Sequence, residues 1–425
     1  MKKSLTKEEL FQFSFNPFSI DELTDESIDL FMNRDDALNE IRIFIKDFST
    51  SAIAGEQGVG KSSFLIKLKS LLPEAYIVKY LKITPTKDGD NLKSMFLRTI
   101  LRALLIIVIE KELHLPEIDI LFEVEKLDYS ITLQTLVSKS SAISANINLG
   151  NEPSLWETVI PFSLKSKLEK QRQSASTTSI SKTPIIHNDH SMKETIHRIA
   201  DALKSYDFEI VLLIDELDKL GRKSYAFTNW FEQIYDLLGY TEDVLTAGNL
   251  LFVFALQKEF HEKYYRALQE ADGDTHFLGL ISEIILLENF SFAEAQSIIR
   301  KRLEFAECKQ KLEDIFDNSV LKILYAFSFQ NTRKFIQFVN HVLTQATIKQ
   351  ASYVNLEILW ETLIRKHQHT WLNEKYQKYL SELTMKDLSF KKGVKIPDEV
   401  KFLEEKKYIK RLPSNKSAIH FGLNI

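Results

Sequence analysis

The chain has 425 residues, room at about 150 residues per domain for two or three domains with cores of their own. Only 12 Gly and 9 Pro stand among 44% hydrophobic and 27% charged residues, which excludes collagen-like, linker-dominated and mostly disordered chains and favours helix over an all-β sandwich. With 55 Lys and Arg against 59 Asp and Glu, the net charge of −4 excludes a global positive field, so any nucleic-acid contact needs a local patch.

The first residues, MKKSLTKEELFQFSFNPF, begin basic and turn acidic without an apolar h-region, so no signal peptide is expected. Phe11–Phe18 is an apolar cluster broken by Asn16-Pro17. Asp21–Leu30 and Arg34–Phe48 have helical spacing, with Ile41, Phe44, Ile45 and Phe48 on one face. Ser51–Ala54 reads as a short strand, followed by a glycine-rich turn and a helix over Ser62–Leu72. Ala75–Ile83 has the look of a second strand, and a long helix runs from Leu92 to Leu113. Its most apolar stretch, Met95–Ile109, contains Arg98 and Arg102 and is too short and too charged to span a bilayer, so no membrane partner is expected.

Residues 115–190 differ in character. Ser138–Leu149 alternates in part, and Ser174–Lys182 is a polar Ser/Thr run. A structureless loop of that length is improbable inside a compact domain, so an insertion with some strands of its own and a mobile tip near Gln171–Pro184 is expected. Beyond it, Met192–Ser205 is an amphipathic helix and Phe208–Ile214 is a nearly continuous apolar run, as in a strand buried on both faces of a parallel sheet. Tyr225–Leu238 is helical, and Asn249–Leu256 and Ile281–Leu287 are further strands. Strands alternating with helices predict an α/β fold with a parallel sheet. From Ser291 the chain is helical, with Leu356–Leu380 as a late helix, and it ends in two strands, Tyr408–Leu412 and Ala418–Leu423, around a turn at Pro413–Ser417. The one cysteine, Cys308, excludes a disulfide framework or a multi-cysteine zinc site and suits a reducing, cytoplasmic location.

Two motifs carry chemistry. GEQGVGKS, Gly55 to Ser62, matches G-x-x-x-x-G-K-[ST] in full, with an apolar strand before it and an amphipathic helix after it. Glycines let consecutive backbone N–H groups turn toward phosphate oxygens, and the helix that follows adds its N-terminal dipole. Gly55, Glu56, Gln57, Gly58, Val59, Gly60, Lys61, Ser62 and Ser63 are therefore candidate ATP-binding residues, with Lys61 on the β- and γ-phosphates and the Ser62 hydroxyl on Mg²⁺. The second motif is VLLIDELDKL, Val211 to Leu220. Asp215 at the end of the buried strand can hold the metal, and Glu216 is placed to activate the attacking water as general base. Acids that cap a helix after a strand are the plainer alternative.

These motifs together resemble an AAA+ P-loop ATPase of the initiator and origin-recognition type, with STAND-like switch ATPases as neighbours. The resemblance spans Phe15–His114 and Met192–Ile425 and leaves the insertion unmatched. It implies a P-loop NTPase core with a helical lid and a C-terminal winged helix. The implied boundaries are an N-terminal segment at 1–48, a core at 49–290, a lid at 291–350 and a winged-helix-like domain at 351–425. FNPF (Phe15–Phe18) and NRDDALNEI (Asn33–Ile41) fall where the family holds adenine, with Arg34 as the contact. SFQNTRKFIQFVNHVL (Ser328–Leu343) resembles the sensor-2 element, with Arg333 reaching the γ-phosphate. Asn331 replaces the usual small residue two positions earlier. Sensor 1 falls on Gln257, and an arginine acting in trans falls on Arg266, with Arg300 and Arg302 as competitors.

IPDEVKFLEEKKYIKRLPSNKSAIHFGLNI resembles a winged helix, with Pro397 as the first residue of a short helix through Glu405. Lys386–Lys416 holds ten basic residues against five acids, and Lys406, Lys407, Lys410 and Arg411 are candidate contacts to double-stranded DNA. Glu404 and Glu405 on that helix oppose phosphate, so a protein-binding role stays open. The patch Arg365–His369 and the pair His187 and His190 read as solvated helix faces. The expected function is an Mg²⁺-dependent ATPase coupling nucleotide state to DNA or partner remodelling, as a homo-oligomer or with a partner protein. The alternative is a nucleotide-gated switch or adaptor, as in a bacterial defence or mobile-element module, that turns over slowly or not at all.

Overall fold

The computed structural model describes residues 5–19, 23–83, 92–111, 113, 189–217, 230–270, 279–391, 394–413 and 418–425. In chain order the described elements begin with α1 (Lys7–Phe11), a 3₁₀ turn (Asp25–Leu30), α2 (Asp35–Lys46), β1 (Ser51–Gly55), α3 (Lys61–Leu71), β2 (Tyr76–Lys82) and α4 (Leu92–Glu110). Next come α5 (Asp189–Ser205), β3 (Glu209–Asp215), α6 (Trp230–Tyr240), α7 (Glu242–Leu245), β4 (Leu250–Gln257), α8 (Lys258–Glu270) and β5 (Glu283–Leu287). The remainder is α9 (Phe292–Phe305), α10 (Leu312–Ile315), α11 (Asn318–Phe327), α12 (Thr332–Ile348), α13 (Leu356–His367), α14 (Glu374–Met385), β6 (Leu388–Lys391), α15 (Asp398–Glu405), β7 (Ile409–Leu412) and β8 (Ala418–Leu423). The strands and mobile tip expected within 115–188 lie outside the described residues, as does most of the turn at Pro413–Ser417.

The chain divides into two compact units, one of Asp36–Ala54 and Leu65–Leu286, the other of Met1–Asp35, Gly55–Phe64 and Leu287–Ile425. The first holds a five-stranded sheet in the order β2-β3-β4-β1-β5, with β2–β3 and β3–β4 paired parallel. β1 is buried along its whole length and β3 and β4 along nearly all of theirs, so their apolar runs do not alternate. Among the described strands β2 stands at an edge and reads differently, with most of its side chains only partly covered. Helices α4 and α5 pack on one another, and Phe96, Ile100 and Leu104 of α4 with Ile196, Ile199 and Leu203 of α5 are all fully buried in the core of this unit.

The second unit is built around another core, which gathers Phe11, Phe13 and Phe18 with α9 to α15 and the antiparallel sheet β6-β8-β7. Its helices start where their caps dictate. Ser291 and Glu294 form a capping box for α9, Asp317 caps α11, Asn331 caps α12 and Asn355 caps α13. Arg302 on α9 is only 7% exposed, and its guanidinium donates to the carbonyls of Pro17 at 2.6 Å and Ser19 at 3.0 Å. It therefore ties the N-terminal segment into a core made almost wholly by the C-terminal part of the chain.

Several expectations need correction here. The predicted helix Leu356–Leu380 is two helices, because Gln368 turns left-handed at φ 54° to end α13 and Asn373 caps a fresh start. Of the helix expected over Asp21–Leu30, the described residues 23–30 form the 3₁₀ turn from Asp25. Pro397 stands one position before the first helical residue, extended at ψ 143°, and not inside the turn. The two C-terminal strands pair with each other, and β8 pairs on its other side with a third, β6, whose four residues LSFK lie inside a basic run where alternation is hard to see.

The Arg365–His369 patch is not a solvated face throughout. His367 Nε2 lies 3.0 Å from His341 Nδ1, and the His367 ring meets Phe338 edge-on at 4.4 Å. His369 stands against Phe327, which stacks on Tyr408 at 4.3 Å. Burial pushes all three imidazoles down, His367 to about 4, with the neighbouring His341, His369 and Lys366 adding to it. A base depressed in the folded state is neutral there, while its unfolded counterpart titrates near 6.5, so the unfolded chain binds more protons below that pH. The thermal midpoint of this unit is expected to fall as pH drops from about 6.5 toward 4, and calorimetry across that window should find the fall flattened in His367→Phe. An equal fall in the variant would place the acid sensitivity elsewhere.

Candidate functional site

The loop Gly55–Gly60 has the shape its glycines allow. Gly58 has φ +86° and Gly60 φ +102°, the left-handed region that side-chain-bearing residues avoid. Val59 between them is buried, while Lys61, Ser62 and Ser63 open α3 half-exposed. The Lys61 ammonium is seated in the loop, donating to the carbonyls of Gly55 at 2.8 Å and Glu56 at 3.0 Å. Gly55 has no space for a Cβ, which would meet the Leu287 carbonyl oxygen and the Val59 side chain at 2.8 Å each. Two asparagines hold the loop from outside. Asn289 Nδ2 donates to Glu56 Oε2 at 3.1 Å, and Asn331 Nδ2 donates to the Gln57 carbonyl.

The acidic pair lies in the sheet-bearing unit. Asp215 ends β3 and is 4% exposed, and Glu216 is 7% exposed. One Asp215 oxygen accepts the backbone N–H of Glu216 at 2.8 Å, and the other accepts the Tyr80 hydroxyl at 2.6 Å. Lys82 Nζ approaches Glu216 Oε1 at 3.9 Å. Tyr80 and Lys82 are two apart on β2 and so share a face of that strand. Sequence reasoning missed both. The signal available was a Tyr and a Lys of equal parity on an edge strand whose register sets Lys82 opposite Asp215. Glu216 also has φ +67°, a strained conformation for a non-glycine residue and one that gathers at working sites.

The other candidates are scattered through the fold. The Arg34 guanidinium lies 4.1 Å from the centre of the Phe290 ring and donates to the Glu288 carbonyl. Arg333 is exposed in the first turn of α12, two residues beyond the Asn331 cap. Gln257 ends β4 half-covered, and Arg266 is exposed on α8. Of its two competitors, Arg300 pairs with Glu313 at 2.7 Å, and Arg302 is buried on backbone carbonyls and so cannot reach a neighbouring subunit. Lys406, Lys407 and Lys410 are exposed, and Arg411 is exposed but paired with Glu404 at 3.0 Å.

The residues present suit a nucleotide and a hard divalent cation. Phosphate calls for backbone N–H groups on a loop with room, and a Cβ built on Gly60 meets nothing within 4 Å. Magnesium takes hydroxyl and carboxylate oxygen, and Ser62 in one unit and Asp215 in the other are each of that donor type. No group of three or more His, Cys, Asp or Glu that could hold a metal ion by itself is found among the described residues. No described helix is long and apolar enough to cross a membrane.

A family model described as the KAP family P-loop domain matches residues 37–349. No curated protein matches the chain. Among solved structures, it is similar to the Orc2 protein of Aeropyrum pernix in ADPNP and ADP complexes, at 12% identity and a TM-score of 0.44, covering 96% of this chain and 93% of that one. A Walker-type ATPase of Pyrococcus abyssi is similar at 12% identity and a TM-score of 0.42, covering 96% and 97%. The Drosophila origin recognition complex bound to DNA is similar at 13% identity and a TM-score of 0.39, covering 100% and 90%.

Proposed function

This chain belongs to the KAP family of P-loop domains, and from that premise we propose that it binds ATP with Mg²⁺ and hydrolyses it. The observation that carries the proposal is the loop itself, with Gly58 and Gly60 in the left-handed region and the Lys61 ammonium seated on its carbonyls. On phosphate binding, Lys61 exchanges those carbonyls for phosphate oxygens, and the backbone amides of the loop supply the remaining donors. Ser62 and Asp215 would hold the cation, which when bound shields the phosphate charge from an incoming nucleophile. Glu216 takes the proton of the attacking water, and Tyr80 fixes the Asp215 carboxylate. Arg34 lies on the adenine side, Arg333 reads the γ-phosphate, Gln257 orients the nucleophile, and Arg266 acts across a subunit contact in an oligomer.

We propose further that residues 351–425 serve as a winged-helix-like read-out, with Lys406, Lys407 and Lys410 on the backbone of duplex DNA. Support comes from their exposure, Lys406 and Lys407 just after α15 and Lys410 on β7, while the Arg411–Glu404 pair takes one cation away from that surface. The test is ATP binding by titration calorimetry together with hydrolysis, with and without duplex DNA, in wild type and Lys61→Ala. Lys61→Ala is expected to weaken ATP binding at least tenfold, and DNA to raise the wild-type rate several-fold in a salt-dependent way. A wild type that binds no ATP sinks the nucleotide assignment. ATP binding without turnover under any condition leaves a nucleotide-gated switch, and turnover indifferent to DNA moves the read-out to a protein partner.

A further inference from the structure

We infer that Asn331 is a positioning residue for the phosphate loop, and that it couples occupancy of the loop to the C-terminal sheet. This rests on the loop binding ATP. Three jobs meet on one side chain. Asn331 Oδ1 accepts the Lys334 N–H at 3.0 Å and so caps α12, Nδ2 donates to the Gln57 carbonyl, and a Cβ on Gly58 would lie 2.7 Å from Oδ1. A trans peptide sets its N–H opposite its C=O. With the Gln57 carbonyl held toward Asn331, the Gly58 N–H must face the other way, and that direction is what a phosphate cradle needs from consecutive amides.

The residues just before Asn331 show what stands behind the contact. Phe329 at φ 54° and Gln330 at φ 62° are both left-handed, and neither is glycine. Two such residues in succession persist only where the surroundings hold them. Here Ser328 Oγ bonds the Tyr325 carbonyl at 2.6 Å, and the Phe329 ring stacks on Tyr408 at 5.4 Å. Tyr408 directly precedes β7 and follows Lys406 and Lys407. A continuous run of contacts therefore leads from Gln57 through Asn331 and the strained turn to the exposed lysines beside β7. Phosphate that accepts the Gly58 N–H polarises the Gln57–Gly58 peptide and so strengthens the Asn331 bond to its carbonyl, and the turn that carries Asn331 is held more firmly.

The discriminating variant is Asn331→Ser. Serine keeps a capping oxygen but is too short to reach the Gln57 carbonyl. Asn331→Asp, which keeps size and cap while removing the donor, is the second. Fluorescent ATP with Mg²⁺ is titrated into wild type and both variants, thermal midpoints are recorded, and hydrogen exchange follows residues 328–334 and 408–412 with and without ATP. The expected result is an unchanged midpoint in Asn331→Ser, ATP binding at least fivefold weaker in both variants, and loss of the ATP-induced protection that wild type shows in both segments. If Asn331 is a helix cap alone, Asn331→Ser keeps wild-type affinity and protection, and the inference is overturned. Wild type that binds ATP without protecting 328–334 overturns the coupling as well. Wild type that binds no ATP overturns the nucleotide assignment itself, an outcome distinct from the other two.

Discussion

Glu216→Gln is expected to keep ATP binding and to lose hydrolysis by about 10²–10⁴-fold, the range a positioned general base contributes. The substitution is isosteric, so the buried pocket at the end of β3 keeps its shape. It removes one negative charge, so phosphate affinity holds or rises. Lys82, 3.9 Å from the carboxylate in the wild-type protein, loses one charged neighbour but keeps a partly solvent-exposed side chain, which limits the structural cost. Steady-state phosphate release beside an ATP titration measures both halves. Hydrolysis within tenfold of wild type would show that another group takes the proton, and loss of binding together with hydrolysis would show that Glu216 supports the fold of the site.

Arg302→Ala is expected to destabilise the unit that carries it by about 2–4 kcal/mol. Two terms oppose each other. Burial pulls the guanidinium down to about 10, and its Nε finds no hydrogen-bond partner among the described residues, so desolvation works against keeping the charge inside. Against that stand charge-assisted bonds to the Pro17 and Ser19 carbonyls, each worth about 1.5–3 kcal/mol, and the penalty of orphaning both carbonyls once the donor is gone. The second term is larger. Arg302→Lys keeps the charge but not the fork and should lose roughly half as much. Calorimetry should place the Ala midpoint roughly 5–10 °C lower. A shift under about 2 °C would mean that the apolar contacts of Phe11, Phe13 and Phe18 secure the segment unaided.

The phosphate loop and the acidic pair were legible because their chemistry is local. Eight consecutive residues make the loop, and one strand end presents Asp215 and Glu216. The buried strands were equally plain, since burial on two faces leaves an unbroken apolar run. Asn331 was visible only as a departure from a pattern. Its partner Gln57 is 274 positions away, and no periodicity connects a cap asparagine to a distant carbonyl. The same holds for Tyr80 on Asp215, 135 positions apart, and for His367 on His341, 26 apart across two helices. Arg302 stood among the candidates for a subunit contact, and only its burial removes it, because charge alone does not tell an inward arginine from an outward one.

The N-terminal segment has a consequence for how the chain is made. Pro17 meets Arg302 across 285 positions, Lys7 meets Asn340 across 333 and Leu5 meets Gln350 across 345. At about 5–20 residues per second, roughly 15–70 s of synthesis separate the emergence of Phe11, Phe13 and Phe18 from that of the surfaces that cover them. During that interval the other unit can finish folding, since none of its residues lies beyond Leu286. This aromatic cluster is thus made long before the surfaces that bury it, and closure of so long a loop makes this a slow, aggregation-exposed step. Translation speed between Phe18 and Tyr408, and a holdase bound over Phe11–Phe18, should therefore raise or lower the yield of native protein.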